Sequence, residues 1–383
     1  MKKAILFISI FSLNFLSAQQ KHNSIKPKNL EKEKTFSGKL TGFNNGDKIK
    51  FYDPEIMKTL DSTYIVDGKF KLKNPLGKIP KTIFITVVSE NKYFTFIPFI
   101  AGENIEISGD KKDFKYNLVV NGSKFQKGKE LLEKETKKYK IERDSLSKYF
   151  RLKQSDTTNT NLEILKNIKK RVNEIDNLSD VITSKYIKEH INTHYYALVN
   201  LAFYFNKLPK SEIQDLYNKL DKEHKESVYG KKVKTFLEVG NILKEGDFYF
   251  DFEAKGQDNK VHKLSEIKDK YILLDFYETY CGPCAASVSE LKKMAEQYKD
   301  KLQIVSFCAD KPEDIWRKGI NQNKIDWLSL WDGKGTSGPT VLKYGSDGFP
   351  TFILIDKMGK IIKIDNSGYG EGSIEKMLKE NIK

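Results

Sequence analysis

Apolar positions along this chain fall into three rhythms after a distinct start. Ala4 to Leu16 is an unbroken apolar stretch behind Lys2 and Lys3, and Leu16, Ser17 and Ala18 precede Gln19. A charged start, a short apolar run and small residues at its end predict a cleaved signal peptide over 1–18. The run is shorter than the roughly 20 residues a spanning helix needs, and Ser9, Ser12 and Asn14 interrupt it. Residues 19–34 carry almost no large apolar side chain and predict a flexible leader.

From 35 to 122, short runs of Phe, Ile, Val, Thr and Tyr are separated by turn pairs, Asn45-Gly46, Asp67-Gly68 and Asn121-Gly122. This predicts an all-β, sandwich-like region, an antiparallel sandwich or an open barrel. Tyr64 to Val66 and Lys69 to Leu72 around Asp67-Gly68 predict a hairpin with a type I′ turn. Further strands are expected at Ile83 to Val88 and Tyr93 to Ile97. From 123 to 240 the apolar spacing changes to three and four among many Lys and Glu, predicting a helical middle segment. Ser155 to Asn161 reads as a polar loop within it, and Leu208-Pro209-Lys210-Ser211 as a stop followed by a cap. His190 and His194, four apart, would share a helix face, but with no HExxH pattern and no third ligand they do not predict a metal site.

From 241 to 383, strands alternate with helices, which predicts a sheet with parallel pairs and helices on both faces. The expected strands are Phe248 to Phe252, Tyr271 to Tyr277, Leu302 to Phe307, Trp327 to Leu330, Thr351 to Ile355 and Lys360 to Ile364. Helices are expected at Cys281 to Tyr298, Pro312 to Asn323, around Thr340 to Tyr344, and from Ser373 to the end. The chain therefore reads as multidomain over its 383 residues.

Composition narrows the classes. Charged residues make up 31%, hydrophobic residues 39%, and 24 Phe with 19 Tyr supply ample core material. The mean hydropathy of −0.56 argues against a multi-span membrane protein. A net charge of +15 reads as a solvated Lys-rich surface rather than a nucleic-acid footprint, since an exported chain meets little nucleic acid. Three Cys exclude a disulfide framework and confine thiol chemistry to one site.

That site is Cys281-Gly282-Pro283-Cys284. Two Cys three apart at a helix start are close enough to bridge, so a reversible disulfide is natural there. Unpaired amides and the helix dipole favour a thiolate at Cys281, and Pro283 fits the first turn. Cys281 is the expected nucleophile and Cys284 the resolving thiol. A zinc site would need a second ligand pair beyond Cys308 and scattered His. Glu278 stands where a peroxiredoxin needs Thr, and a purely structural bridge closes too small a loop to stabilise much. Cys308, on an expected inner strand, reads as an inert buried thiol.

The segment from Ile272 to Cys284 resembles the strand and active-site segment of thioredoxin-fold proteins, and Gly348 to Asp356 resembles their later proline-containing segment. The block Lys311 to Asp347 is similar to the insertion of TlpA- and ResA-type exported thiol:disulfide oxidoreductases. The β region followed by helices resembles a domain of unknown function often fused ahead of such modules. The resemblance implies that Pro350 is a cis proline beside the dithiol and that Asp275 is a buried acid able to take the proton from Cys284. It implies a substrate groove around Tyr280, Gly282, Pro283 and Phe349, and no cofactor. Tyr280 stands where the family usually has Trp, and the lysine that accompanies the acid in thioredoxin is replaced at Ser306 or Phe307. The expected activity is reduction of disulfides in exported proteins in the periplasm, recharged by a membrane thiol electron carrier. A dithiol oxidase or isomerase, or a docking module with a vestigial redox site, stays open, as does the oligomeric state.

Overall fold

A computed structural model describes residues 34–383 except 55, 154–157, 206, 347, 367–369, 371 and 383. The expected signal peptide and nearly all of the expected leader lie outside the described residues. Residues 34–383 form one compact unit.

The β-rich part is a two-sheet sandwich. One sheet orders its strands Val119–Asn121, Ile105–Asp110, Thr35–Thr41, Lys69–Lys73, and the other Lys58–Tyr64, Lys48–Asp53, Phe84–Ser89, Lys92–Phe96. Side chains alternate across each strand, so Ile49 and Phe51 of one sheet meet Phe36, Phe70 and Ile107 of the other in a shared core. Two expectations need correction. Thr35–Thr41 pairs in parallel with Ile105–Asp110, so the region is not wholly antiparallel. The Asp67-Gly68 turn has positive φ at both residues, 51° and 70°, but its arms do not form a hairpin ladder. They meet in a single bridge, Val66 with Lys69. The arms then part into different sheets, because each finds its apolar partners on an opposite side of the core.

The helical part begins with two long helices, Gln126–Lys153 and Asn159–His190. Arg143 with Asp176 and Arg171 with Glu142 join them at 2.6 and 2.7 Å; such half-exposed pairs contribute about 0–1 kcal/mol each. Ser155 and its neighbours to 157 lie outside the described residues, while Asn159–Asn161, expected as loop, are already helical behind the capping side chain of Thr158. Four shorter helices follow, Tyr195–Leu201, Lys210–Asn218, Lys222–Glu226 and Val228–Glu238. Leu208-Pro209 does not end a helix, since the preceding one stops at Leu201, and Pro209 occupies the next N-cap without a side-chain bond. His190 ends one helix and His194 precedes another, so the two do not share a helix face; their rings stand nearly perpendicular, 5.0 Å apart. Leu198, Leu201, Leu216 and Phe236 pack in one core with Leu342 from the C-terminal part. Phe99 of the sandwich donates its N–H to the buried Gln126 carboxamide at 2.9 Å.

The C-terminal part is built on a seven-stranded mixed sheet ordered Val261–Lys263, Glu253–Gly256, Leu328–Trp331, Leu302–Cys308, Tyr271–Tyr277, Thr351–Ile355, Ile361–Asp365. The three strands Tyr271–Tyr277, Leu302–Cys308 and Leu328–Trp331 run parallel, and the others join antiparallel. Apolar except for Asp275, the strand Tyr271–Tyr277 is buried on both faces. Leu274 and Phe276 enter a core with Val341 and Tyr344. Leu273 enters the opposite core with Leu291 and Met294 of the helix Gly282–Gln297 and with Leu378 of the helix Ser373–Asn381. The expected strand Phe248 to Phe252 is absent: Phe248 makes one bridge to Lys360, and the ladder starts at Glu253. Among the described residues no helix is long and apolar enough to cross a membrane.

Candidate active site

Alternation along Tyr271–Tyr277 decides where the acid points. Leu273 faces the core beneath the helix Gly282–Gln297, so Asp275, two residues on, shares that face. It is buried opposite its cross-strand partner Ser306, whose hydroxyl donates to Asp275 Oδ2 at 2.9 Å. Ser306 in turn accepts from Trp327 Nε1 at 2.9 Å. Asp275 Oδ1 is buried without a partner. Burial pushes this carboxyl up to about 7, against the smaller opposing effect of the Ser306 bond.

The strand then delivers the chain into a tight loop. Thr279 N–H donates to Asp310 Oδ2 at 2.8 Å, and Cys281 N–H to the Glu278 carbonyl at 3.2 Å. Cys281 is the N-cap of the helix Gly282–Gln297, with Pro283 in the first turn and the Cys284 amide donating to Cys281 Sγ at 3.2 Å. The two sulfurs are bonded, with Cα atoms 5.2 Å apart. Cys281 is half-buried, Cys284 buried, and Gly282 and Pro283 exposed. In the thiolate form Cys281 would keep the Cys284 amide and the positive helix end, the pattern that lowers a thiol pKa.

Phe349 and Pro350 lead into the strand Thr351–Ile355, which pairs directly with Tyr271–Tyr277. Cys281 Sγ lies 3.5 Å from the Phe349 carbonyl oxygen, and the Phe349–Pro350 bond is cis. Tyr280 is 51% exposed beside the dithiol, and its hydroxyl accepts from Lys318 Nζ at 3.0 Å. Lys318 belongs to the helix Glu313–Asn323 within the insertion. All eight residues singled out in the sequence are therefore placed: the dithiol with Tyr280, Gly282, Pro283, Phe349 and Pro350 at one end of the sheet, and Asp275 within it.

A thioredoxin-like family model matches residues 269–361, and a domain of unknown function matches 35–128. The thiol-disulfide oxidoreductase ResA of Halalkalibacterium halodurans is 25% identical over 144 residues, 37% of this chain and 80% of that protein. The thioredoxin-like protein YneN of Bacillus subtilis is 30% identical over 127 residues, 32% of this chain and 71% of that one. The chain belongs to the thioredoxin-like family of thiol-disulfide oxidoreductases. Among solved structures, the thioredoxin domain of a thiol-disulfide oxidoreductase from Bacteroides vulgatus matches at 24% identity over 37% of this chain and 99% of that one, with a TM-score of 0.34.

Several residues around this thioredoxin-like site escaped the sequence reading. Asp310, just past the neighbouring strand, accepts both from Thr279 N–H and from the Cys308 thiol, the latter at 3.3 Å. The Cys308 thiol is fully buried and pushed up by burial and by Asp310. Trp316 and Trp331 stack at 5.5 Å and belong to one apolar cluster with Cys284, Cys308 and Cys281. Burial, reinforced by Asp310 and opposed by Lys232, pushes Glu278 up to about 7. A carboxylate closing an apolar strand was the one available signal for Glu278. The rest meet only through the fold. Among the described residues no group of three or more His, Cys, Asp or Glu is placed to hold a metal ion.

Proposed function

We propose that the chain is an exported reductase of protein disulfides, working in the periplasm through Cys281 and Cys284. The observation that carries this reading is the Cys281–Cys284 bond at a helix N-terminus, with Cys281 the more accessible sulfur and Cys284 covered. In the reduced form the Cys281 thiolate attacks one sulfur of a substrate disulfide, forming a mixed disulfide and expelling the other sulfur as a thiolate. Asp275, ionising near neutrality, takes the proton from Cys284. The Cys284 thiolate then attacks Cys281 Sγ, so the substrate leaves with two electrons and the enzyme is left oxidised. Phe349 and Pro350 form the groove wall that holds an extended substrate segment beside the dithiol, with Tyr280, Gly282 and Pro283 as its exposed lip.

Direction follows from the Gly-Pro dipeptide shared with thioredoxin, whose potential of about −270 mV is reducing against about −180 mV for protein disulfide isomerase. An oxidising compartment then requires recharging, and a membrane thiol electron carrier suits that role. The apolar N-terminal run and its small-residue end support export. Insulin reduction with a defined dithiol reductant tests the activity: turnover lost in Cys281→Ser supports the reading, and no turnover in the parent chain leaves the site vestigial.

A further inference from the structure

A cavity of about 360 Å³ opens where the three parts of the chain meet. The sandwich supplies Pro54 and Phe84 to its wall, the helical part Phe203 and Lys232, and the C-terminal part Glu278 and Asp310. Its wall adjoins the loop that carries Cys281. Glu278 lines the cavity, and its carbonyl accepts the Cys281 N–H at 3.2 Å. The sandwich and the helical part thus share a cavity with Glu278, whose carbonyl holds the Cys281 amide.

The charges at the cavity are engaged within the protein. Lys81 pairs with the buried Asp53 at 2.7 Å. Asp310 holds the redox loop, Lys232 stands 3.8 Å over the Phe203 ring, and Glu278 is held toward its neutral form by burial. What the walls offer an incoming group is mainly carbon. The volume lies at the lower end of ligand pockets, room for one or two side chains but not for a folded element.

We propose that this cavity is a specificity pocket for the polypeptide being reduced, taking a large apolar side chain (Phe, Leu or Met) that flanks the cysteine attacked by Cys281. The inference rests on Cys281 being the nucleophile. It gives the sandwich and the helical part a function: they form the wall against which the substrate is chosen. Specificity of this kind arises because the apolar side chain leaves water only when the correct segment is seated.

The test uses the full reduced chain and two peptides of one length, each carrying a single Cys in mixed disulfide with 5-thio-2-nitrobenzoate. One has Phe and Leu flanking the Cys, the other Ser. Release of the coloured thiolate reads attack by Cys281. The parent is expected to prefer the apolar peptide about tenfold in kcat/KM, the effect of burying much of one large side chain. Phe203→Ala, which opens one wall, and Thr336→Trp, at a residue that the C-terminal part contributes to the lining, are each expected to bring the ratio between the two peptides below about threefold. Equal rates for the two peptides in the parent, or an undiminished ratio in both variants, overturn the pocket. Free cysteine in mixed disulfide with the same reporter separates the two readings: if the parent fails to react even with that, the assignment of Cys281 itself has failed.

Discussion

Replacing Asp275 by Asn should change how stability depends on pH, by an amount the buried geometry sets. Burial moves this carboxyl from 3.8 to about 7, which corresponds to about 4 kcal/mol. Between those values the unfolded chain has released its proton while the fold retains it. The folded state therefore loses stability as pH rises through that window, and the loss levels off above about 7. Asn has no proton to lose, so the slope disappears. It keeps an acceptor for the Ser306 hydroxyl, but its amide occupies the place of Oδ1, which has no partner, at a cost of about 1–3 kcal/mol at every pH. Part of the window lies below pH 5. Between pH 5 and pH 8 the stability difference should accordingly move by about 3 kcal/mol in favour of Asp275→Asn. Urea unfolding of the oxidised chains, followed by tryptophan fluorescence, reads this directly, since all 3 Trp lie in the C-terminal part. A parent–variant difference that stays the same at pH 5 and pH 8 would refute the desolvation of Asp275.

The same substitution is expected to slow resolution more than the initial attack, so mixed disulfides should persist longer; equal resolution rates from pH 6 to 9 would remove the acid from the mechanism. Cys308→Ser should leave turnover within about twofold, because the thiol is buried and its pKa is raised, and a large loss in insulin reduction would give it a redox role. Reduction of Cys281–Cys284 should raise tryptophan emission through the Trp316–Trp331 stack that shares its cluster; an unchanged spectrum would separate the stack from the dithiol. Mass analysis of the exported chain should find Gln19 at its start, and an intact Met1 would remove the argument for the periplasm.

Local chemistry made much of the C-terminal part legible. Tyr271–Tyr277 is apolar enough to announce a buried central strand, and Pro283 in a first turn marks the helix start. Phe248 to Phe252 misled because its alternating aromatics match a strand, yet this stretch meets the sheet at one bridge only. Asp67-Gly68 fixed a turn but not the partners of its arms, which depend on apolar contacts across two sheets. His190 and His194 looked helical at four-residue spacing, but the chain turns between them. The contacts of Asp310 with Thr279 and of Lys318 with Tyr280 join residues 31 and 38 positions apart, and no local pattern encodes them.

Covalent trapping with Cys284→Ala tests the central claim most directly. Cys281 can still attack, but nothing is left to resolve the mixed disulfide, so a substrate should stay attached. Expressed with its own leader and recovered with thiols blocked, the variant is predicted to carry exported proteins linked through Cys281 and released by dithiothreitol, whereas Cys281→Ala/Cys284→Ala carries none. Recovery of small thiols alone, or of no adduct, would contradict a protein-disulfide reductase working through Cys281.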